Sequence, residues 1–251
     1  MNLVRRPNLP EDKVRVAAID GRAGEVFEAQ LLKLGIEPVK TGKFQRVYDS
    51  VAFHPDIVMH HLGDDKIVYA PGTDTGFLSK LRDYGFRLIK GGTVLTDKYP
   101  GDIAYNVARI GNYAVHDFRH TDPVLKKALE IEGVEFINVK QGYSKCSICI
   151  LNESCIITSD KGIAKAVEKK GVEALLIGAD ENILLPGLDK GFIGGSTGLI
   201  GSNVLAVTGD IKRLKSFEMI AEYLAIKGVE IVCLGDGHIM DIGSIIPLLT
   251  V

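Results

Sequence analysis

The chain has 251 residues, 46% apolar and 25% charged, with a formal net charge of −2 at pH 7. Those proportions belong to a folded chain with a substantial core, and exclude disordered and fibrous classes. The near-neutral balance offers no basic field for nucleic acid or anionic membrane. No run approaches the roughly 18 apolar residues of a membrane span, and "MNLVRRPNLPEDK" lacks the apolar stretch of a signal peptide. A cytoplasmic protein is expected, with no nucleic-acid or membrane partner and four reduced cysteines rather than a disulfide framework.

In chain order, "KVRVAAID" reads as a strand, and the helix after it ends in "LLKLGIEPVK". "DIVMHHLGDDKIVYA" reads as two strands around Gly63-Asp64-Asp65, and the next helix ends in "LRDYGFRLIK". "DIAYNVARIGNYAVHD" turns at Ile110-Gly111-Asn112. A helix follows, with Asp122 as N-cap, Pro123 at its first position and an apolar face of Val124, Leu125, Ala128 and Leu129; it ends in "EIEGVEFINVK". "CSICILNESCIIT" turns at Asn152-Glu153, and Asp160 caps the helix that leads to "EKKGVEALLIG". "GFIGGSTGLIGSNVLAVTG" turns at Gly201-Ser202-Asn203. Leu214, Phe217, Ala221 and Leu224 then share a helix face whose solvated side carries Lys212, Arg213 and Lys215, before "LAIKGVEIVCLG". "MDIGSIIPLL" is a last strand, paired with "KVRVAAID" from the start.

Helix, glycine, β-branched run is thus one unit used five times. Gly35, Gly85, Gly133, Gly171 and Gly228 mark it at a spacing of roughly 50 residues. The unit is strand, strand, helix, strand. Sharing the last unit between the two ends closes a ring and removes exposed sheet edges.

Polar residues collect where each unit's first strand begins. His54 and Asp56 lie in "HPD", Asp102 and Asn106 in "YPGDIAYNV", Gln141, Tyr143 and Cys146 in "KQGYSKCS", and Asp236 and His238 in "CLGDGHIMD". In a closed ring these starts converge on the central pore, so one shared polar pocket is expected. Cys146 is the one cysteine among them. It can act as a nucleophile as the thiolate, which needs a neighbouring cation such as Lys145 or a protonated histidine. Cys149, Cys155 and Cys233 lie in apolar runs and read as core. Of His60 and His61, one is expected buried and one at the surface. "HDFRH", His116 to His120, reads as an irregular linker. Gly194, Gly195 and Gly198 point to close backbone packing near the pore or a ligand. The glycine-rich run has no lysine at phosphate-loop spacing.

Five such units resemble the pentein superfamily: an α/β fold, a propeller of five strand-strand-helix-strand repeats around a pseudo-five-fold axis, here as a single domain over residues 1–251. "HPDIVMHHLGDDKIVYAP" is similar to the His-x-Asp segment of its deiminases, and "VKQGYSKCSICI" to the nucleophile strand of its dimethylarginine hydrolases. The resemblance implies a cysteine-dependent hydrolase or transferase acting on a guanidino or amidino compound. Cys146, His54 and Asp56 would be catalytic. Asp102, Asn106, Gln141, Tyr143, Gly194, Gly195, Asp236 and His238 would bind a cationic small molecule. No cofactor and no metal are implied, and apolar helix faces would allow a homodimer. The cysteine falls in a middle unit rather than the last, so the match requires a cyclic shift of the units. Gly194 and Gly195 stand where the family has acidic residues. The alternative is a non-catalytic pentein that binds a small molecule or a macromolecular partner; a metal hydrolase built on His54, His60, His116 or His238 is a third reading.

Overall fold

The computed structural model describes residues 1–179 and 181–251. The first unit is assembled from both ends of the chain. It holds β1 (Asn2–Leu3), β2 (Val14–Ile19), α1 (Glu25–Lys33) and β3 (Glu37–Lys40). The second opens on a single helical turn, α2 (Pro55–Val58), and continues through β4 (Met59–Gly63), β5 (Lys66–Tyr69), α3 (Thr75–Asp83) and β6 (Arg87–Lys90). The third holds β7 (Ala108–Ile110), β8 (Tyr113–His116), α4 (Pro123–Ile131) and β9 (Glu135–Asn138). In the fourth, the turn α5 (Ser144–Ser147) leads into β10 (Ile148–Ile150), β11 (Cys155–Thr158), α6 (Lys161–Glu168) and β12 (Glu173–Leu176). The fifth has a 3-10 turn at Gly194–Ser196, then β13 (Thr197–Gly201), β14 (Val204–Val207), α7 (Phe217–Ile226) and β15 (Glu230–Cys233). The final strand, β16 (Ile246–Thr250), returns to the first unit.

In every unit the first two strands are antiparallel and the third runs parallel to the second, across the helix. The first unit obeys the same rule with β16 as its leading strand, giving a sheet of order β1-β16-β2-β3. Neighbouring units touch around the whole circle: β3 with α3, β4 with α4, β7 with α5, β10 with β13, and β13 with β16. The architecture is the five-unit propeller.

Burial explains why the strands read as they do. Leading strands such as β10 (ICI) and second strands such as β11 (CIIT) are wholly buried, so they are nearly continuous apolar runs. Third strands such as β12 and β15 are half-exposed at the rim. Helix limits follow the caps. Asp122 and Asp160 accept backbone N–H bonds from Leu125 and Ile163 at 2.9 Å each. The five helix-ending glycines all adopt left-handed φ, from 65° at Gly228 to 89° at Gly85.

Three expectations need correction. Cys233 is exposed, because it ends the outermost strand of its unit. Leu214 precedes α7 in an extended conformation (ψ 140°), after a 3-10 turn whose N-cap is Asp210, so the helix face begins at Phe217. His60 and His61 are both buried. The cover over their strand is the N-terminal segment. Asp64 N–H donates to Val4 O at 3.1 Å, Asn8 Nδ2 reaches Arg109 O at 3.3 Å, and Leu9 packs into the core beside Ala108 and Ile150. That segment closes the end of the propeller where the hairpins turn. The strand starts open at the other end.

Candidate active site

Three of the five leading strands begin with one helical turn: α2, α5 and Gly194–Ser196. Two of them, α2 and α5, carry polar side chains into the site. In α2, Pro55 fixes the first helical position, His54 stands as N-cap and Asp56 sits one step inside. In α5 the whole run Ser144-Lys145-Cys146-Ser147 is buried.

The Cys146 thiol donates from Sγ to Asp56 Oδ2 at 3.1 Å and accepts from Asn106 Nδ2 at 3.2 Å. Asn106 is fully buried and binds both sides of the couple. Its Nδ2 also donates to Asp56 O at 3.1 Å, and its Oδ1 accepts the backbone N–H groups of Lys145 (2.9 Å) and Cys146 (3.3 Å). His54, Asp56 and Cys146 each place one donor atom within 4.8 Å of the others. A soft metal ion could share three such atoms. The existing thiol–carboxylate hydrogen bond suits proton transfer.

His54 has two other acids beside it. Its Nε2 lies 3.6 Å from Asp20 Oδ2 and its Nδ1 3.9 Å from Asp241 Oδ1, and neither ring nitrogen has a closer hydrogen-bond partner. Asp20 is held by Arg22 through Nε (3.2 Å) and Nη2 (2.8 Å). Asp241 accepts N–H bonds from Gly243 at 3.0 Å and Phe192 at 2.9 Å. Two glycines make room for this arrangement. A Cβ on Gly195 would fall 2.0 Å from Asp241 Oδ1, and one on Gly243 would fall 2.3 Å from the His54 Cβ. Asp241 occupies the space that the missing side chain of Gly195 leaves.

Burial and two carboxylates oppose ionisation of Cys146. Burial pushes the thiol well above its ordinary value, and the carboxylates of Asp56 and Asp241 push it further. Lys145 Nζ donates to Ser244 Oγ at 2.8 Å; burial pulls the ammonium down, against the opposing pull of Asp56 and Cys146. These surroundings favour the protonated thiol, and the carboxylate of Asp56 lies within hydrogen-bond reach of it. Burial also raises Asp241, against the opposing pull of His54.

The remaining expected residues fall at different depths. Tyr143 lines the pocket with Cys146 and His54. Asp102 lies behind it and accepts the Tyr143 hydroxyl, while Tyr48 donates to the Tyr143 oxygen at 2.9 Å. Burial raises both Asp102 and Tyr48, the latter to about 12. Gln141 accepts from Tyr143 N at 3.0 Å and donates to Asp160, on a groove outside the pocket. Asp236 and His238 are exposed on the loop after β15 and do not line the pocket. Gly194 packs on the backbone of Lys145 and Ile148.

The pocket measures about 270 Å³. Cys146, His54 and Asp241 meet in it, Tyr48, Val51, Tyr143 and Phe192 form walls, and Leu185, Leu188, Asp189 and Lys190 come from one loop. That loop is pinned to the strand-like stretch 239–241: Leu184 N–H donates to Ile239 O at 2.9 Å, and Asp241 N–H donates to Leu184 O at 2.8 Å. Sequence reasoning missed the loop, Asp20, Asp241 and Ser244. The loop has no periodicity, Asp20 follows its strand, and Asp241 and Ser244 lie in an irregular stretch before β16.

A family model described as "Family of unknown function (DUF6873)" matches residues 18–246. No curated protein matches the sequence. Similar solved structures include the inosamine-phosphate amidinotransferase StrB1 of Streptomyces griseus, with TM-score 0.59, 15% identity, and coverage of 94% of this chain and 92% of that one. DDAH from Pseudomonas aeruginosa gives TM-score 0.53 at 12% identity, covering 90% and 96%. The agmatine deiminase of C. jejuni gives 0.54 at 11%, covering 93% and 90%. At such identities the likeness carries the fold and no more. The chain belongs to the family of unknown function DUF6873, built on the five-unit pentein fold.

Proposed function

We propose that this protein is a cysteine-dependent hydrolase or transferase acting on a cationic guanidino or amidino compound. The observation that carries the reading is the hydrogen bond from the Cys146 thiol, which lines the pocket, to the buried carboxylate of Asp56 behind it. It is supported by the amidinotransferase, DDAH and agmatine deiminase among the structural neighbours.

An amidinium entering the pocket meets the carboxylate of Asp241, whose charge is opposite to its own, with Asp56 behind the Cys146 thiol. Its planar carbon is then presented to Sγ. As the S–C bond forms, the thiol proton passes to Asp56 Oδ2, which already accepts the S–H. The C–N bond to the departing amine breaks, and His54 supplies the proton that the amine requires. Asp20 and Asp241, on either side of the ring, stabilise the imidazolium that donates it. In the second half His54 takes a proton from water, or from an acceptor amine in a transferase. The S–C bond breaks and Asp56 returns the proton to sulfur.

The test needs no known substrate. A haloacetamidine, an amidinium with an electrophilic carbon, should alkylate Cys146 at pH 7 at least about ten-fold faster than iodoacetamide of matched intrinsic reactivity does. Alanine at His54 should abolish that preference. Slow, equal labelling of all four cysteines by both reagents refutes the reading.

A further inference from the structure

Ser244 is one of four non-glycine residues in the described chain with positive φ, at 76°, and it follows Gly243 at 64°. Left-handed backbone is costly for a side chain other than Gly, Asn or Asp. Ser244 is also fully buried, so no solvent exposure accounts for a polar residue there. Such a residue persists when its side chain is required by what surrounds it.

What surrounds it is the catalytic couple. Ser244 Oγ accepts from Lys145 Nζ at 2.8 Å. Its one hydroxyl hydrogen has two acceptors within reach, Asp56 Oδ2 at 2.8 Å and Gly194 O at 3.0 Å. The oxygen of Asp56 nearest Ser244 is therefore the same oxygen that accepts the Cys146 thiol.

We infer that Ser244 is a positioning residue for the proposed reaction, a buried hydroxyl rotor that serves Asp56 in both of its protonation states. While Asp56 is a carboxylate, the Ser244 O–H donates to Oδ2 and keeps that oxygen aimed at Sγ. When the thiol proton arrives on Oδ2, that oxygen becomes a donor toward sulfur and no longer needs the serine. The Ser244 hydroxyl then turns to Gly194 O. Lys145 holds Oγ in place throughout, so the rotor turns about a fixed oxygen. No atom leaves the site, and the only proton that changes owner is the thiol's. The inference rests on Cys146 being the nucleophile.

Three substitutions separate this role from a structural one. Ser244→Ala and Ser244→Gly both remove the hydroxyl, but glycine relieves the backbone and alanine does not. Ser244→Thr keeps the hydroxyl in a backbone that disfavours it. The readouts are the rate of Cys146 alkylation by chloroacetamidine and the thermal midpoint. The expected result is an equal loss in the Ala and Gly variants, about ten-fold or more, with Gly the more stable of the two and Thr retaining most of the rate. Reactivity that follows the thermal midpoint, with Gly near wild type, overturns the rotor. A wild-type Cys146 that reacts no faster than Cys149 refutes the nucleophile reading itself, and the rotor falls with it.

Discussion

Asp56 and Cys146 lie 90 positions apart in sequence, on the opening turns of two different units, and meet at 3.1 Å. The pair holds one proton between a group that burial makes reluctant to lose it and a group placed to receive it. In the proposed reaction an amidinium would offset the negative charge that favours the protonated thiol.

Replacing Asp56 by Asn should therefore silence Cys146 without moving it. The amide can still accept from Ser244, but it cannot take the thiol proton. Alkylation by chloroacetamidine should fall by about 100-fold or more, the usual scale of general-base loss. A rate within a few-fold of wild type would transfer the base role to His54.

Gly195→Ala tests the position of Asp241. The added methyl has no room against Oδ1 unless the carboxylate moves, and that carboxylate is held by two backbone N–H groups. We expect a loss of about 1–3 kcal/mol in unfolding free energy, the usual cost of overpacking, together with loss of the preference for a cationic alkylating agent. An unchanged preference would mean that Asp241 does not face the substrate.

Acid should destabilise the fold through its buried histidines. Burial pulls His61 and His116 down to about 4 and His60 well below its ordinary value. In the unfolded chain they titrate near about 6.5. Between those values the unfolded state binds more protons, so stability falls as pH falls, by up to about 1.4 kcal/mol per pH unit for each histidine. Asp102 and Asp241, raised by burial, oppose this at the acidic end, because the folded state keeps their protons longer. Urea unfolding at pH 7, 6 and 5 measures the slope. His61→Asn should reduce it by about one proton's worth.

The N-terminal segment should prove structural. Leu9 is buried in the core although it lies outside the repeat, so Leu9→Ala should cost about 2 kcal/mol or more, read from denaturant midpoints. Cys146 alkylation should keep its wild-type rate, because Leu9 does not line the Cys146 pocket.

The repeat was legible because each unit obeys the same local rules. Gly85 and Gly133 close helices, Asp122 and Asp160 open them, and apolar runs such as ICI and CIIT are buried on both faces. The site was half legible for the same reason. His54, Asp56, Asn106 and Cys146 all lie at strand starts, and symmetry brings strand starts together. Asp20, Asp241 and Ser244 follow no such rule. Asp20 comes just after β2, while Asp241 and Ser244 belong to the irregular stretch before β16. Asp236 and His238 looked equivalent on spacing, but they lie before that stretch returns to the axis and remain in solvent. Lys145 was legible only as a neighbour in sequence; its bond to Ser244, which in turn reaches Asp56, depends on the irregular stretch before β16.

Asn2 Nδ2 donates to the Val251 carbonyl at 2.7 Å, and β1 and β16 pair in register. A circle tied at one knot can be cut elsewhere and retied. Joining Val251 to Met1 by a short linker and opening the chain at the exposed Ser202-Asn203 turn should yield a permuted protein with the same pocket. For such a molecule the question of which unit comes last has no chemical content. A nucleophile in a middle unit is as well placed as one in the final unit, because the pocket depends on the order of units around the circle and not on where the polypeptide starts.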